Sequence, residues 1–347
     1  MNPIRVGVVG AGGNTRKFHI PNLQKQAGVE VLTLANRTRA SGEKVAREFG
    51  VPEVADHWRA VIEDDRLDAI CIGTWPYLHA PVTIAALEAG KHVLCEARMA
   101  MNASEAHAML ACARRHPERV AQIVPAPHTL AFDRTIVDMI GDGYIGELIA
   151  LDARVVSPSD FPQWDTPVHW RHDRTLSGFN IMSMGIWYEA IMRWIGPAAT
   201  VHALGQSVVR HRRDGDGRRV AMEIPDHVEV ACRMAQGGQM RLLVSTVLGL
   251  GSGIRVDIYG TEGTLRLADE GSGLTLTAGR RGDAALAPVA VDPAKRGGWR
   301  VEEEFVNAIR GLEPVTHTDF ATGVRYMEWT EAVSRSMRSG ETVRLPL

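Results

Sequence analysis

The run Ile4–Val9 (IRVGVV) stops at Gly10 and passes directly into Gly10-Ala11-Gly12-Gly13-Asn14-Thr15 and a helical pattern that reaches about Gln26. No other stretch restricts the fold as strongly. A β-branched run that ends on glycine and turns straight into a helix is the first half of a βαβ unit. Gly10 permits the tight turn. Gly12 lets backbone N–H groups approach a pyrophosphate, which then rests on the positive end of the helix. Gly13, Asn14 and Thr15 complete the loop, with Thr15 where the dinucleotide fingerprint has its third glycine or alanine. A purely structural strand–helix turn is the alternative. The position inside a first βαβ unit makes dinucleotide binding the stronger reading.

The alternation continues. Strand patterns at Val29–Ala35, Ala69–Ile72, Val93–Cys95 and Val120–Val124 are separated by helical patterns at Ala40–Phe49, Ala80–Ala89 and Ala103–Arg115. Right-handed βαβ units of this kind build a doubly wound parallel sheet. The pattern changes near Pro125 and Pro127. Beyond it, Val228, Val230 and Cys232 alternate with polar residues, and Met240–Val247 follows across Gly237-Gly238, a hairpin signature. Arg255–Tyr259 and Thr264–Leu267 add strands, and Met184–Trp194 and Ala321–Met337 add helices. A helix at Phe132–Ile140 lies near the boundary. The fold class is therefore α/β: a Rossmann domain at 1–124, then an α+β domain at 125–347 with a largely antiparallel sheet. Arg210–Arg219 (RHRRDGDGRR) reads as a solvated hairpin tip rather than an anion site, and Arg280–Gly298 as a surface excursion or flap.

The 347 residues suffice for two cores, and a formal charge of -2 gives no pull toward nucleic acid or an anionic membrane. No run of ~18 apolar residues is present to span a bilayer, and no signal segment is visible. Cys71, Cys95, Cys112 and Cys232 show neither zinc spacing nor a disulfide framework. No metal is expected, and a cytoplasmic location fits reduced thiols.

At the end of the second strand an acid would accept hydrogen bonds from the adenosine ribose, as NAD requires. Asn36-Arg37-Thr38-Arg39 stand there instead. Arginine pairs with a 2′-phosphate and no carboxylate repels it, so NADP is favoured over NAD. Arg37 stacked on adenine is the alternative, and it leaves both cofactors open.

Several segments together resemble the Gfo/Idh/MocA (glucose–fructose oxidoreductase / inositol dehydrogenase) family over nearly the whole chain. They are Gly10–Pro21 (GAGGNTRKFHIP), Thr74-Trp75-Pro76-Tyr77-Leu78-His79, Ala89–Glu96 (AGKHVLCE), Trp170-Arg171 with Asp173 and Ser177-Gly178, and Ile258–Leu265 (IYGTEGTL). The resemblance implies that Thr74, Trp75, Pro76 and His79 pass beside the nicotinamide ribose, with His79 mainly structural, and that Glu96 belongs to the cofactor site. It also implies a large open sheet that supports homodimers or homotetramers. The activity implied is NAD(P)-dependent hydride transfer to or from a carbinol or carbonyl of a sugar, cyclitol or related small molecule.

Three departures stand out. Ala97 occupies the position of the family's lysine, Ser183 that of its aspartate and Trp187 that of its histidine. None titrates near neutral pH, and loss of a general base costs ~10²–10⁴ in rate. Either another residue takes the role or the reaction differs. His128, just past the last Rossmann strand, titrates near neutrality and is the first candidate for proton transfer. Arg98 could hold a carboxamide or an anion, but with a pKa above ~12 it is a poor base. Tyr188 is a third candidate, and Glu189, His169, His172 and Tyr77 are further ones. His128, Trp170, Arg171, Ser183 and Trp187 are expected on the substrate side. Trp75, Trp164, Trp170 and Trp187 offer planes for a sugar ring, although core packing claims some of them. Two other functions share the cofactor. One is redox-assisted elimination or hydrolysis of a sugar substituent on a retained dinucleotide. The other is a non-enzymatic dinucleotide-binding sensor.

Overall fold

The computed structural model describes residues 3–158, 160–251, 253–269 and 271–347. The chain forms two compact units. The first comprises Met1–Pro125 and Arg300–Met327, the second Ala126–Trp299 and Glu328–Leu347. The division is thus not a single cut after residue 124. Arg300–Met327, which the sequence places in the second domain, packs with the first.

The first unit is built on a six-stranded parallel sheet. Its strands are β1 (Ile4–Val9), β2 (Val29–Ala35), β3 (Glu53–Ala55), β4 (Ala69–Ile72), β5 (His92–Cys95) and β6 (Ala121–Ile123), in the order β3-β2-β1-β4-β5-β6. β4 is buried at every residue and β1 at every residue but Arg5, which explains their apolar runs. β3 and a short helix at Trp58–Ile62 were not anticipated. A three-residue, half-buried strand carries too little periodicity to be read. The helix after β1 starts as a wide π-turn over Thr15–His19 and continues as α-helix over Ile20–Lys25, an arrangement frequent at functional sites.

The second unit holds a nine-stranded sheet. Its members are β7 (Leu148–Val156), β8 (Ala198–Gln206), β11 (His227–Met234), β12 (Gln239–Ser245), β13 (Ile254–Gly260), β14 (Gly263–Asp269), β15 (Leu274–Arg280), β16 (Ala287–Pro288) and β17 (Val343–Arg344). Every pairing is antiparallel except β7 with β12. The expected hairpin across Gly237-Gly238 is β11–β12. A separate hairpin, β9 (His211–Arg213) with β10 (Arg219–Ala221), occupies the basic stretch. β11 alternates buried and exposed residues along its length, so one face of the sheet is covered and the other is open. Residues from Met184–Ile195 and from the end of Phe320–Ser339 cover the inner face. The Trp329 indole N–H points at Cys232 Sγ at 3.4 Å, and Ser336 Oγ accepts the Ala203 N–H at 2.9 Å.

Candidate active site

In the first unit, Gly10 adopts φ +85°, and a Cβ there would lie 2.6 Å from Thr74 Cγ2 and 2.7 Å from Thr74 N. The turn and the close approach of two loops both demand glycine. Thr15, the departure from the fingerprint, donates its hydroxyl to Gly10 O at 3.1 Å and so closes the loop from inside. Asn36, at the end of β2, accepts the Ala11 N–H at 3.3 Å. Gly12 and Gly13 behave differently. A Cβ on Gly12 would meet nothing nearer than Gly73 O at 3.7 Å, and one on Gly13 nothing within 4 Å. Protein packing does not require either glycine, so the space beside them suits a ligand's phosphates. Thr74 Oγ1 is buried without a partner, as expected of a group kept for a bound molecule. These residues fit a dinucleotide.

Arg37 is exposed after β2, its guanidinium 5.9 Å from the Trp75 ring centroid, and it makes no ion pair among the described residues. Arg39 is engaged with Glu43 and Asp56. The His79 ring lies 2.8 Å from Arg98 O through Nδ1 and 2.9 Å from Thr74 O through Nε2. It ties the Thr74–Pro76 loop to the segment after β5, the structural role expected of it. Arg98 is itself only 3 % exposed. That burial removes it from the exposed groups able to meet a substrate, contrary to the sequence expectation.

Sequence reasoning missed a buried chain of charges. His19 has no exposed surface. Its Nδ1 lies 2.5 Å from Glu302 Oε1 and its Nε2 lies 2.8 Å from Glu96 Oε1. Glu96 also accepts from the Asn14 amide and, through Oε2, from the Ala97 N–H at 3.0 Å. Glu302 Oε2 takes the Asn22 amide at 3.2 Å. Burial pushes the His19 pKa down, but the hydrogen bonds to Glu302 and Glu96 and their charges outweigh it and raise it from 6.5 to about 9. Burial likewise pushes Glu96 up, and His19 and Asn14 reverse this, leaving it below the ordinary carboxylate value. His19 is therefore an imidazolium at neutral pH, clamped between two carboxylates. Glu96 belongs to the cofactor loop through Asn14 and holds the peptide at Ala97, where the family has lysine. A signal for Glu302 existed: it is in helical phase with the buried Phe305 and Val306.

In the second unit, His128 is exposed and stacks on Trp187, with ring centroids 5.4 Å apart and planes at 10°. Partial burial lowers its pKa, so the imidazole is neutral at pH 7. Trp187 is 2 % exposed. It is a floor beneath His128 rather than the open sugar platform expected of it. Tyr188 is a correction. Its ring stacks on Trp329 at 3.9 Å, its hydroxyl accepts the Ala198 N–H at 2.9 Å, and burial pushes its pKa well up. The turn of helix that places Trp187 beside His128 sends Tyr188 into the core, where it cannot move a proton to substrate. Glu189 is also buried, accepting the Ala126 N–H at 2.5 Å and lying 3.5 Å from Arg193. Ser183 is the residue before the helix Met184–Ile195, and its carbonyl accepts the Trp187 N–H at 3.1 Å. Arg171 lies over the Trp170 ring at 4.2 Å and is exposed. His169 and His172 sit beside them, and burial, Arg212 and His169 together take the His172 pKa down to about 4. Of the histidines in this unit that were expected to move protons, His128 and His169 are both exposed with a pKa that burial lowers, and His128 is the one stacked on Trp187.

The described residues contain no group of three or more His, Cys, Asp or Glu placed to hold a metal ion. No helix among them is long and apolar enough to cross a membrane.

Residues 4–123 match the model of the oxidoreductase family with an NAD-binding Rossmann fold, and residues 134–266 that of the GFO/IDH/MocA C-terminal domain. An uncharacterized oxidoreductase of Rhizobium meliloti is 27 % identical over 99 % of this chain and 100 % of its own length. Levoglucosan dehydrogenase of Pseudarthrobacter phenanthrenivorans is 26 % identical over 78 % of this chain and 70 % of its own. A dTDP-3,4-didehydro-2,6-dideoxy-α-D-glucose 3-reductase of Streptomyces antibioticus is 30 % identical over 60 % of this chain and 62 % of its own. Among solved structures, levoglucosan dehydrogenase in complex with NADH and L-sorbose superposes with a TM-score of 0.82 over 99 % of both chains at 22 % identity. The parallel and mostly antiparallel sheets agree with that fold. The chain belongs to the Gfo/Idh/MocA family and is an oxidoreductase with an NAD-binding Rossmann fold.

Proposed function

We propose that this enzyme is an NADP-preferring dehydrogenase or reductase acting on a carbinol or carbonyl of a sugar, cyclitol or related small molecule, with His128 as its proton carrier. The nicotinamide supplies a hydride acceptor or donor when bound. The rest falls to the chain's own residues. Gly10–Thr15 offer the phosphate cradle, Asn36 fixes its entrance, and Arg37 is a free guanidinium for a 2′-phosphate. Thr74, Trp75 and Pro76, held by His79, line the nicotinamide side. Glu96, held by His19, keeps Asn14 and the Ala97 peptide in place. His128 Nε2 or Nδ1 takes the hydroxyl proton during oxidation and returns it during reduction, and its lowered pKa keeps the ring in the accepting form at neutral pH. Trp170, Arg171 and Ser183 border the substrate.

The single observation that supports this reading best is the pair Gly12 and Gly13, whose missing side chains leave room that the protein itself does not use. The sugar chemistry in the names of its relatives agrees with it. In the test, purified protein is mixed with NADP⁺ or NADPH and a panel of polyols and keto-sugars while the absorbance of the reduced cofactor is followed. Turnover with NADP(H) exceeding that with NAD(H) is expected, and silence across a broad panel would sink the proposal.

We further propose a homodimer or homotetramer built on the open face of the nine-stranded sheet, where Leu204 is 66 % exposed and Tyr259 37 %. Interleaved Asp152, Arg154, Glu229 and Arg241 give that face charges of both signs, so two copies can complement each other. The four buried free thiols suit a cytoplasmic setting.

A further inference from the structure

The hairpin β9–β10 does more than end in a solvated tip. With Trp164 and Asp165 it borders a cavity of about 970 Å³ whose lining includes Arg210, His211, Arg212, Arg213 and Arg219. The strand register sets Arg213 directly opposite Arg219, a like-charge cross-strand pair that costs stability when nothing neutralises it. Elsewhere arginines find acids: Arg218, in the same hairpin, pairs with Asp216, and Arg174 with Glu223. None of the four cavity arginines forms an ion pair among the described residues. Their hydrogen bonds go to neutral groups instead. Arg213 donates to Gly217 O at 2.9 Å, Arg219 to His211 Nδ1 at 3.0 Å, and Arg212 to Gln163 O at 3.2 Å. Arg212 is nearly buried, while the other three and His211 are exposed. Trp164, 60 % exposed, adds a bare indole to this wall. Arg212 is buried against Gln163 and Thr166 and feels the charge of Asp226, but the three exposed guanidinium groups of Arg210, Arg213 and Arg219 around one cavity, with Asp165 the single acid in the lining, form a site that lacks its anion. Guanidinium forks bind phosphoryl oxygens two at a time, and an indole covers the apolar face of a sugar or base.

We propose that this cavity binds a phosphoryl-bearing sugar, either a sugar phosphate or a sugar nucleotide, with the phosphoryl group on Arg210, Arg213 and Arg219 and a ring on Trp164. The proposal goes beyond the redox reading and does not depend on it.

Calorimetric titration of the protein saturated with NADPH, so that the dinucleotide loop is filled, tests it. The titrants are inorganic pyrophosphate, a hexose 6-phosphate, a nucleoside diphosphate hexose and the neutral hexose. The three phosphoryl compounds are expected to bind, more weakly as salt rises, and the neutral hexose not to. Tighter binding of the nucleotide assigns Trp164 to the base, and equal binding of the two sugar ligands assigns it to the hexose. Arg213→Gln/Arg219→Gln should lose at least tenfold in affinity for all three. It should melt no lower than the parent, because it removes a repulsive exposed pair. Trp164→Ala should weaken the two sugar ligands while sparing pyrophosphate. Unchanged affinity in the double arginine variant, or no heat from any phosphoryl compound, would overturn the proposal. The prior NADPH titration reports on the dinucleotide loop separately, so failure of either reading is visible by itself.

Discussion

His19 shows how one residue couples stability to pH. Its folded pKa of about 9 lies above the ordinary 6.5, so its contribution is complete below pH 6.5 and is lost as pH rises through 9. A shift of that size corresponds to roughly 3 kcal/mol. The urea midpoint of the wild type is expected to fall between pH 7 and 10, and His19→Gln should lower it at pH 7 and flatten that decline. An unchanged pH profile in the variant would show that His19 is not the titrating group. Glu96 acts at the other end. Its pKa is depressed, so its contribution is present above the ordinary carboxylate range and is lost in acid. His128 makes a separate prediction. His128→Asn keeps a polar side chain over Trp187 but removes the proposed base, so kcat should drop by ~10²–10⁴ with the Kd for NADPH nearly unchanged. Stopped-flow turnover and fluorescence titration read the two quantities. The burial of Glu302 had a signal in its helical phase with Phe305 and Val306, but its tie to His19 had none, because the partners are 283 positions apart.

At the scale of elements, the glycine loop separates a turn-making position, Gly10, from the positions proposed to meet the ligand, Gly12 and Gly13. Gly10→Ala forces a side chain at φ +85° into Thr74 and should cost stability and dinucleotide affinity together. Gly12→Val meets only Gly73 O, at an ordinary contact distance of 3.7 Å from its Cβ, so it should cost little stability yet abolish NADPH binding. Thermal melts paired with a fluorescence titration distinguish the two, and retained binding in Gly12→Val would remove the phosphate cradle from that position. The first, second, fourth, fifth and sixth strands of the parallel sheet were legible because their short runs are mostly apolar and mostly buried. The hairpin across Gly237-Gly238 was legible through its alternation. Tyr188 misled for a physical reason: adjacent residues on a helix point about 100° apart, so a residue beside the histidine-position tryptophan need not share its face. Arg98 misled because it is buried together with Met99 and Ala100 in an irregular segment after the fifth strand, where no periodic pattern records burial.

Across the whole molecule, the open face of the nine-stranded sheet, with Leu204 and Tyr259 exposed, is where the proposed second copy would dock. Leu204→Glu places a charge at an exposed apolar site. It should convert an oligomer to monomer in light scattering without lowering the melting temperature of the monomer itself. If the wild type runs as a monomer at every concentration, that sheet face has no second copy. Two units and two sheets were visible in the sequence. The return of Arg300–Met327 to the first unit was not, since no local pattern records which sheet a distant helix rejoins.

That return segment has a practical consequence for anyone dissecting the enzyme. Expressing the leading 124 residues alone would strand the His19 imidazole with one of its two counter-ions and leave the Gln122 amide without Glu304, which it meets at 2.8 Å. The truncated fragment should be insoluble or molten. Splicing the segment from 300 to 327 back on through a linker supplies both glutamates and should recover a folded, nucleotide-binding half.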